Sequence, residues 1–363
     1  METMKRDFLG IEDWSWVEIE RLLALAARIK RGEVESGLER KIMAMVFLDP
    51  SLRTRTSFES AMHLHGGLAV TIEPGKGSWE WELDPAAVMD GTTVENVVEA
   101  ARVLGRYADV VGIRAFPRGD DWSVARQDRL IHTFAEHCEK PVVNLESARQ
   151  HPCQALGDTL TIKEKFPEPS GRRFVVSWAY HPKPLPTAVP VSAALAAARL
   201  GMEVVVARPA GYEFDPDDTA LLRKTVREAG SVLYTTDDMD EACEGADAVY
   251  AKSWGSLHDF GRPADELERR KDLRGWRLTE ERVARTRKGR GVVMHCLPVR
   301  RNVEIDAAVL DGPNSAVIDQ AENRLHVQRA LLLTMVGSAE AETEEPFALA
   351  AFGGNGRGAG GAS

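Results

Sequence analysis

Along this chain, short unbroken apolar runs alternate with longer stretches in which apolar positions recur every three or four residues. The first pattern is that of strands buried on both faces, the second that of helices with one buried face. Ser15 and Glu18 form a capping-box pair ahead of a helix whose apolar face carries Val17, Leu22, Leu23, Leu25 and Ile29 and which stops near Gly32. Strand-like runs follow at MAMVFL, LAVTIE, DVVGIRAF, PVVNLE, RRFVVSWAY, EVVVARP, SVLYTT, DAVYAKSW, GVVMHCLP and SAVIDQ. Between them, ENVVEAARVLGRY, VARQDRLIHTFAEHC and DDTALLRKTVREAG fit helices. Strand alternating with helix predicts βαβ units and parallel sheets, the α/β class. The segment EKFPEPSGRR, rich in Pro, Gly and charge, reads as a linker between two sheets, and the helix ALGDTLTIKEK before it bridges them. Two doubly wound parallel-sheet domains are expected, over residues 1–150 and 151–320. The low-complexity stretch 338–363 is expected to be a disordered tail; its glycines are no dinucleotide fingerprint, because no strand or helix flanks them.

Composition narrows the function classes. A chain of 363 residues gives each of two domains its own core. The formal net charge of -10, with no basic face, argues against a nucleic-acid partner. Cys138, Cys153, Cys243 and Cys296 lack CxxC spacing, so neither a zinc site nor a disulfide framework is indicated. The opening METMKRDFLG has no apolar signal region and no run is long enough to span a bilayer, so a cytoplasmic location without membrane contact is expected. No GxxxxGK[ST] occurs, which leaves a P-loop kinase without support.

The chemistry concentrates in residues 47–67, FLDPSLRTRTSFESAMHLHGG. An apolar strand is broken at Asp49-Pro50, and Phe58, Ala61, Met62 and Leu64 then recur at helical spacing up to Gly66-Gly67. SLRTR therefore lies where a strand hands over to a helix, and the free N–H groups of the helix start favour an anion. Arg53 and Arg55 add permanent charge and forked donors; Ser51, Thr54 and Thr56 add hydroxyls. The segment reads as a dianion site.

SLRTR after a strand, HPCQALGDTLT from His151, HCLP at residues 295–298 and ENR at 322–324 together resemble the aspartate and ornithine transcarbamylase family, over roughly residues 40–337. The resemblance implies carbamoyl phosphate as donor, small-molecule substrates, and neither cofactor nor metal. It implies that the last helix, over 321–337, packs back on the first domain, and that the active site lies in the cleft and at a subunit interface. Ser51, Leu52, Arg53, Thr54 and Arg55 would hold the phosphate with Arg324, and Arg114 would reach between phosphate and carbonyl oxygen. His151 would donate to that oxygen and Gln154 would hold the carbamoyl NH2. Electrostatics and orientation then suffice, since carbamoyl phosphate is already activated and the departing phosphate can accept the amine proton. Trp79, in PGKGSW, would enter a neighbouring subunit's site in a homotrimer.

The acceptor is read from departures within the family. HCLP disfavours the aspartate branch. Ornithine enzymes carry an acidic segment whose carboxylate meets the α-ammonium of ornithine; here DAVYAKSWGS puts Lys252 in that place. A cation there repels an α-ammonium and suits an acylated, neutral α-nitrogen beside a free carboxylate. WAYHPKPLP at 178–186 also resembles the N-acylornithine branch. Glu146 would orient the acceptor, the carbonyls of Cys296 and Leu297 would receive its δ-amine, and Arg300 is a candidate for a carboxylate. After MDG the acetyl enzymes carry Glu where the succinyl enzymes carry Pro, and this chain has Val94. Val94, the extra residue in ESARQHP, and Pro186 and Pro190 in PLPTAVP put N-succinyl-L-ornithine first, with N-succinyl-L-citrulline as product in arginine synthesis. N-acetyl-L-ornithine is the alternative, followed by ornithine or a non-catalytic anion-binding relative.

Overall fold

The computed structural model describes residues 5–337; the expected tail at 338–363 lies outside them. The chain opens with the helix Trp16–Lys30, capped as its sequence dictates: the Glu18 N–H donates to Ser15 Oγ and the Ser15 N–H donates to Glu18 Oε2. Ile19, Leu22, Leu23, Ala26 and Ile29 are buried, whereas Val17, expected on that face, is exposed. Two residues of α-helix turn about 200°, so Val17 lies opposite Ile19.

Strands β1 (Ile42–Phe47), β2 (Leu68–Ile72), β5 (Val110–Arg114) and β6 (Val142–Glu146) form a parallel sheet in the order β2-β1-β5-β6. Two short strands, β3 (Trp81–Glu82) and β4 (Glu95–Asn96), pair beside it and were not anticipated from the sequence. The second sheet runs β11-β10-β7-β8-β9, from β7 (Arg173–Trp178), β8 (Glu203–Ala207), β9 (Leu233–Thr236), β10 (Ala248–Lys252) and β11 (Val292–Met294), again all parallel. Strands β1, β5, β6, β7 and β10 are almost entirely buried, which is why their sequences are unbroken apolar runs.

Two stretches differ from the expectation. SAVIDQ is not a strand: Ser315 makes a single bridge to Val293, and the helix Val317–Val336 begins two residues later. Gln320, Asn323, Arg324 and Val327 are buried at helical spacing, and that packing outweighs a local β-branched run. VARQDRLIHTFAEHC is not one helix but two, Trp122–Ala125 and Arg129–His137. Asp128 breaks it at φ 48, its carboxylate accepting hydrogen bonds from Ser147 Oγ (2.7 Å) and the Ala148 N–H (2.9 Å).

The helix Pro152–Lys165 bridges the two sheets, and its residues from Pro152 to Ile162 are all buried. It packs on the closing helix Val317–Val336 and on Ala188–Arg199, while the closing helix also returns to Trp16–Lys30 and Leu52–Leu64. A polar seam stitches these helices: Lys30 Nζ donates to Glu164 at 2.9 Å and to Asn323 Oδ1 at 2.7 Å, and Asn323 Nδ2 donates to Thr161 Oγ1 at 3.0 Å. Across the cleft, Arg149 pairs with the buried Asp218 and Trp122 Nε1 donates to Asp215 Oδ2 at 2.7 Å. Among the described residues no helix is long and apolar enough to cross a membrane.

Gly157 lets the bridging and closing helices approach, since a Cβ there would lie 2.9 Å from Arg324 Cγ and 3.4 Å from the Arg324 nitrogen. Gly157→Ala is expected to destabilise the protein by about 1–3 kcal/mol through overpacking. The measurement is a lower denaturant midpoint at unchanged m-value; an unchanged midpoint would show that the helices can part freely.

Candidate active site

Parallel strands end together, so loops at their carboxyl ends share one crevice. After β1 the chain turns at Pro50 and Ser51 caps the helix Leu52–Leu64, its hydroxyl accepting from the Thr54 N–H at 3.2 Å. Arg114 and Glu146 are the last residues of β5 and β6; a register shift after Ile113 sets them directly opposite each other. Lys252 ends β10, and Cys296 follows β11.

Arg114 is buried and donates through Nη1 to Glu146 Oε2, with its guanidinium 4.6 Å from the centre of the Phe116 ring. Arg324, buried on the closing helix, donates to Thr54 Oγ1 at 2.9 Å. Burial holds Arg53 and Arg324 below the ordinary arginine value, and the charge of Arg114 presses on both. Three guanidiniums thus face one volume, with Glu146 as the carboxylate in contact. Their excess positive charge is the complement of a multiply charged anion.

His151 caps the bridging helix and is buried, its N–H donating to Ser192 Oγ at 2.8 Å. Its Nε2 lies 3.5 Å from Glu146 Oε2 and its Nδ1 has no partner. Burial, then Arg324 and Arg114, push its pKa well below the usual histidine value, so the ring is neutral near pH 7. A neutral ring beside a carboxylate favours the tautomer with its proton on Nε2, on the side of Glu146. One turn on, Gln154 donates through Nε2 to Asp158 Oδ1 at 2.7 Å and leaves Oε1 buried and unpartnered.

The opposite wall belongs to the second sheet. Lys252 is buried at the end of β10, where its carbonyl accepts from the Ala179 N–H at 3.1 Å while its ammonium pairs with no carboxylate among the described residues. Burial alone would raise the Glu304 carboxyl, but His295 and Lys252 hold it down at about 2. Burial lifts the Cys296 thiol to about 11 against the pull of Lys252, so it is no nucleophile at neutral pH. Leu297 adopts φ 57 and donates its N–H to His295 Nδ1 at 2.8 Å, a left-handed turn for a bulky residue that costs about 1–3 kcal/mol. Arg300, exposed, donates through Nε to His181 Nε2 at 2.9 Å.

The crevice therefore gathers Ser51, Arg53, Thr54, Arg114, Glu146, His151, Gln154, Lys252, Cys296, Leu297 and Arg324, with Arg300 at its rim. Arg55 departs from the expectation: it is exposed and turned to Glu59 (3.0 Å) and Glu73 (3.7 Å). Leu52 (76% exposed), Trp79 (71%) and Val94 (60%) also face outward in this chain. Sequence reasoning assigned no role to Asp158, Gln320, Tyr250 or Glu304; Asp158 was visible within HPCQALGDTLT as the one acid of the motif.

Fold and crevice define a two-domain α/β protein built to bind a multiply charged anion between its sheets. A family model for the carbamoyl-P binding domain of aspartate/ornithine carbamoyltransferase matches residues 6–164, and one for the Asp/Orn binding domain matches residues 187–335. An N-acetylornithine carbamoyltransferase of Xanthomonas campestris pv. campestris is 45% identical over 335 residues, 92% of this chain and 98% of that protein. An N-succinylornithine carbamoyltransferase of Bacteroides fragilis is 33% identical over 312 residues, 85% of this chain and 92% of that protein. A solved acetylornithine transcarbamylase complexed with acetylcitrulline matches with TM-score 0.89 at 45% identity, covering 92% of this chain and 99% of its own. A mutant of N-acetyl-L-ornithine transcarbamylase with valine in place of a glutamate, complexed with carbamyl phosphate and N-succinyl-L-norvaline, matches with TM-score 0.88 at 45% identity over 91% and 99% of the two chains. The chain belongs to the aspartate/ornithine carbamoyltransferase family, in its N-acylornithine branch.

His151→Ala is expected to lower turnover by about 10²–10³-fold, the usual effect of removing one donor to a developing oxyanion. The KM for carbamoyl phosphate should change far less, because the phosphate cradle is intact; steady-state kinetics with both substrates varied checks this. Undiminished turnover would remove His151 from the reaction.

Proposed function

We propose that the enzyme transfers the carbamoyl group of carbamoyl phosphate to the δ-amine of N-acetyl-L-ornithine, giving N-acetyl-L-citrulline and phosphate in arginine synthesis. The buried Lys252 ammonium carries the choice of an acylated acceptor: at the end of β10 it repels a free α-ammonium and attracts the α-carboxylate, with Arg300 at the rim as a second cation. The preference for acetyl rests on the 45% identity to an acetyl enzyme against 33% to a succinyl one, and it reverses the order read from the sequence.

In this reading the phosphate lies against the helix start at Ser51–Thr54, with Arg53, Arg114 and Arg324 meeting its charge. His151 Nε2–H donates to the carbamoyl oxygen as it becomes negative, and the unpartnered Gln154 Oε1 accepts from the carbamoyl NH2. The δ-amine donates to the carbonyls of Cys296 and Leu297, and its lone pair attacks the carbonyl carbon. The carbon–nitrogen bond forms, the carbon–oxygen bond to phosphate breaks, and the phosphate carries away the amine proton. Glu146 neutralises part of the arginine charge and steadies His151. The exposure of Trp79, Val94 and Leu52 on the first domain supports a reading in which they complete the site of a second subunit in a homotrimer.

One observation favours a second reading. By the resemblance Val94 takes the place of a glutamate of the acetyl enzymes, and a glutamate-to-valine mutant of a 45% identical relative holds N-succinyl-L-norvaline. A succinyl carboxylate meets no repulsion from valine.

Turnover of N-acetyl-L-ornithine, N-succinyl-L-ornithine and ornithine by the purified protein decides between these readings. The acetyl compound is expected to be fastest and ornithine slower by about 10²-fold or more, the scale of an uncompensated charge in a partly dry site. Faster succinyl turnover would overturn the acetyl assignment, and ready use of ornithine would overturn the role of Lys252. Val94→Glu should depress succinyl turnover by about tenfold, roughly 1.4 kcal/mol, while sparing acetyl turnover. Trp79→Ala should keep a trimeric mass by light scattering yet raise the acceptor KM by about tenfold; an unchanged KM would place Trp79 outside the site.

A further inference from the structure

Behind the carbamoyl side of the crevice sits a carboxylate that the transfer itself does not touch. Asp158, one turn beyond Gln154, is fully buried, and its Oδ1 accepts from two amides at once: Gln154 Nε2 at 2.7 Å and Gln320 Nε2 at 2.6 Å. Gln320 Nε2 also reaches the Tyr250 hydroxyl at 3.2 Å, and its Oε1 accepts the His295 N–H at 2.9 Å. Gln154 Oε1, at the other end of the first amide, is buried without a partner.

The two ends of a glutamine amide have nearly the same shape and opposite hydrogen-bonding sense. An ionised carboxylate only accepts, so it admits the NH2 end of Gln154 and rejects the carbonyl end. We propose that Asp158 is a positioning residue that fixes the rotation of the Gln154 amide, so that its carbonyl oxygen points into the crevice to recognise the NH2 of the carbamoyl group. Gln320, bonded to the same oxygen and to the backbone of His295, keeps the carboxylate from following a turn of Gln154.

The ionisation of Asp158 then controls recognition. Burial pushes its pKa up to about 7, against the hydrogen bonds from Gln154 and Gln320, the charge of Arg324 and the nearby Tyr250 hydroxyl. The ionisable groups around it are Tyr250 from β10, Arg324 from the closing helix, and Cys296 beyond β11. Tyr250 is held well above its ordinary value and Cys296 at about 11, so both stay neutral near pH 7, while Arg324 stays charged. As pH falls through about 7, Asp158 gains an O–H donor and the Gln154 amide is free to turn. Stability runs the other way: a folded value above the ordinary 3.8 contributes most at low pH and is lost as pH rises through about 7. A purely structural Asp158 would therefore follow stability, and a positioning Asp158 would oppose it.

The inference rests on the assignment of Gln154 to the carbamoyl NH2, and the experiment separates the two. Gln154→Leu should raise the KM for carbamoyl phosphate by about 10–100-fold while inhibition by inorganic phosphate, which lacks an NH2, is unchanged. If that KM does not move, the assignment of Gln154 fails. Asp158→Leu should reproduce the Gln154→Leu split; a Gln154 effect without an Asp158 effect, or an equal loss of phosphate inhibition, overturns the positioning role. Asp158→Asn, which keeps an acceptor but cannot ionise, should show a smaller rise in KM and lose the acid limb of the wild-type KM profile. Tyr250→Phe leaves Asp158 in place and removes a neighbouring hydroxyl that favours its charged form, so the limb should shift to higher pH; a limb that stays put refutes control by Asp158.

Discussion

Guanidinium groups taken out of water repel one another and stay charged, so a fold that gathers three of them must supply an anion or pull them apart. Here Arg114 and Arg324 are buried, Arg53 is half-buried within reach of the Arg114 charge, and Glu146 is the carboxylate in contact. The arrangement stands because each arginine is fastened to a different rigid element: a helix start, a strand end and the closing helix. The strand register that sets Arg114 opposite Glu146 holds the one neutralising contact in place. In the proposed reaction the positive charge left over in a dry crevice favours phosphate departure, because it interacts most strongly with a leaving group gaining charge.

The bridging helix answers a second constraint. His151 and Gln154, proposed to meet the carbamoyl group, sit on a helix that lies between the two sheets and is covered on every face. A helix so placed cannot rely on an apolar stripe, and its polar residues satisfy one another. Thr159 and Thr161 donate back to carbonyls four residues earlier, each at 2.7 Å, and Asn323 and Gln320 of the closing helix meet Thr161 and Asp158. The closing helix thereby supplies both Arg324 and the partners that fix the bridging helix, which joins the last residues of the fold to the chemistry of the first domain.

Much of this was legible in the sequence, for physical reasons. Buried parallel strands must be apolar throughout, so their runs stand out, and SLRTR after such a run places an anion at a helix start. What escaped involves direction or distance. Arg53 and Arg55 look alike in the string, but two positions along a helix are about 200° apart, so one faces the crevice and the other pairs with Glu59 and Glu73. SAVIDQ is β-like locally and helical because of residues it meets across the molecule. The hydrogen bond from Gln320 to Asp158 spans 162 positions and leaves no periodic trace.

The acceptor wall shows how a single reversed charge can redirect specificity. Lys252 ends a strand buried on both faces, where a lysine is tolerated only if its ammonium reaches polar surroundings. Glu304 supplies part of them: it stays ionised although burial disfavours its charge, its oxygens shared between the Arg300 N–H at 2.8 Å and the vicinity of His295 at 3.6 Å. Because Glu304 is committed to that turn, it screens Lys252 without cancelling it. In the proposed reaction an acceptor entering the crevice meets cations on both walls, Arg53, Arg114 and Arg324 on one and Lys252 on the other. On that proposal a carboxylate beside a neutral amide nitrogen is drawn in, whereas an ammonium at the α-position is opposed by both domains at once.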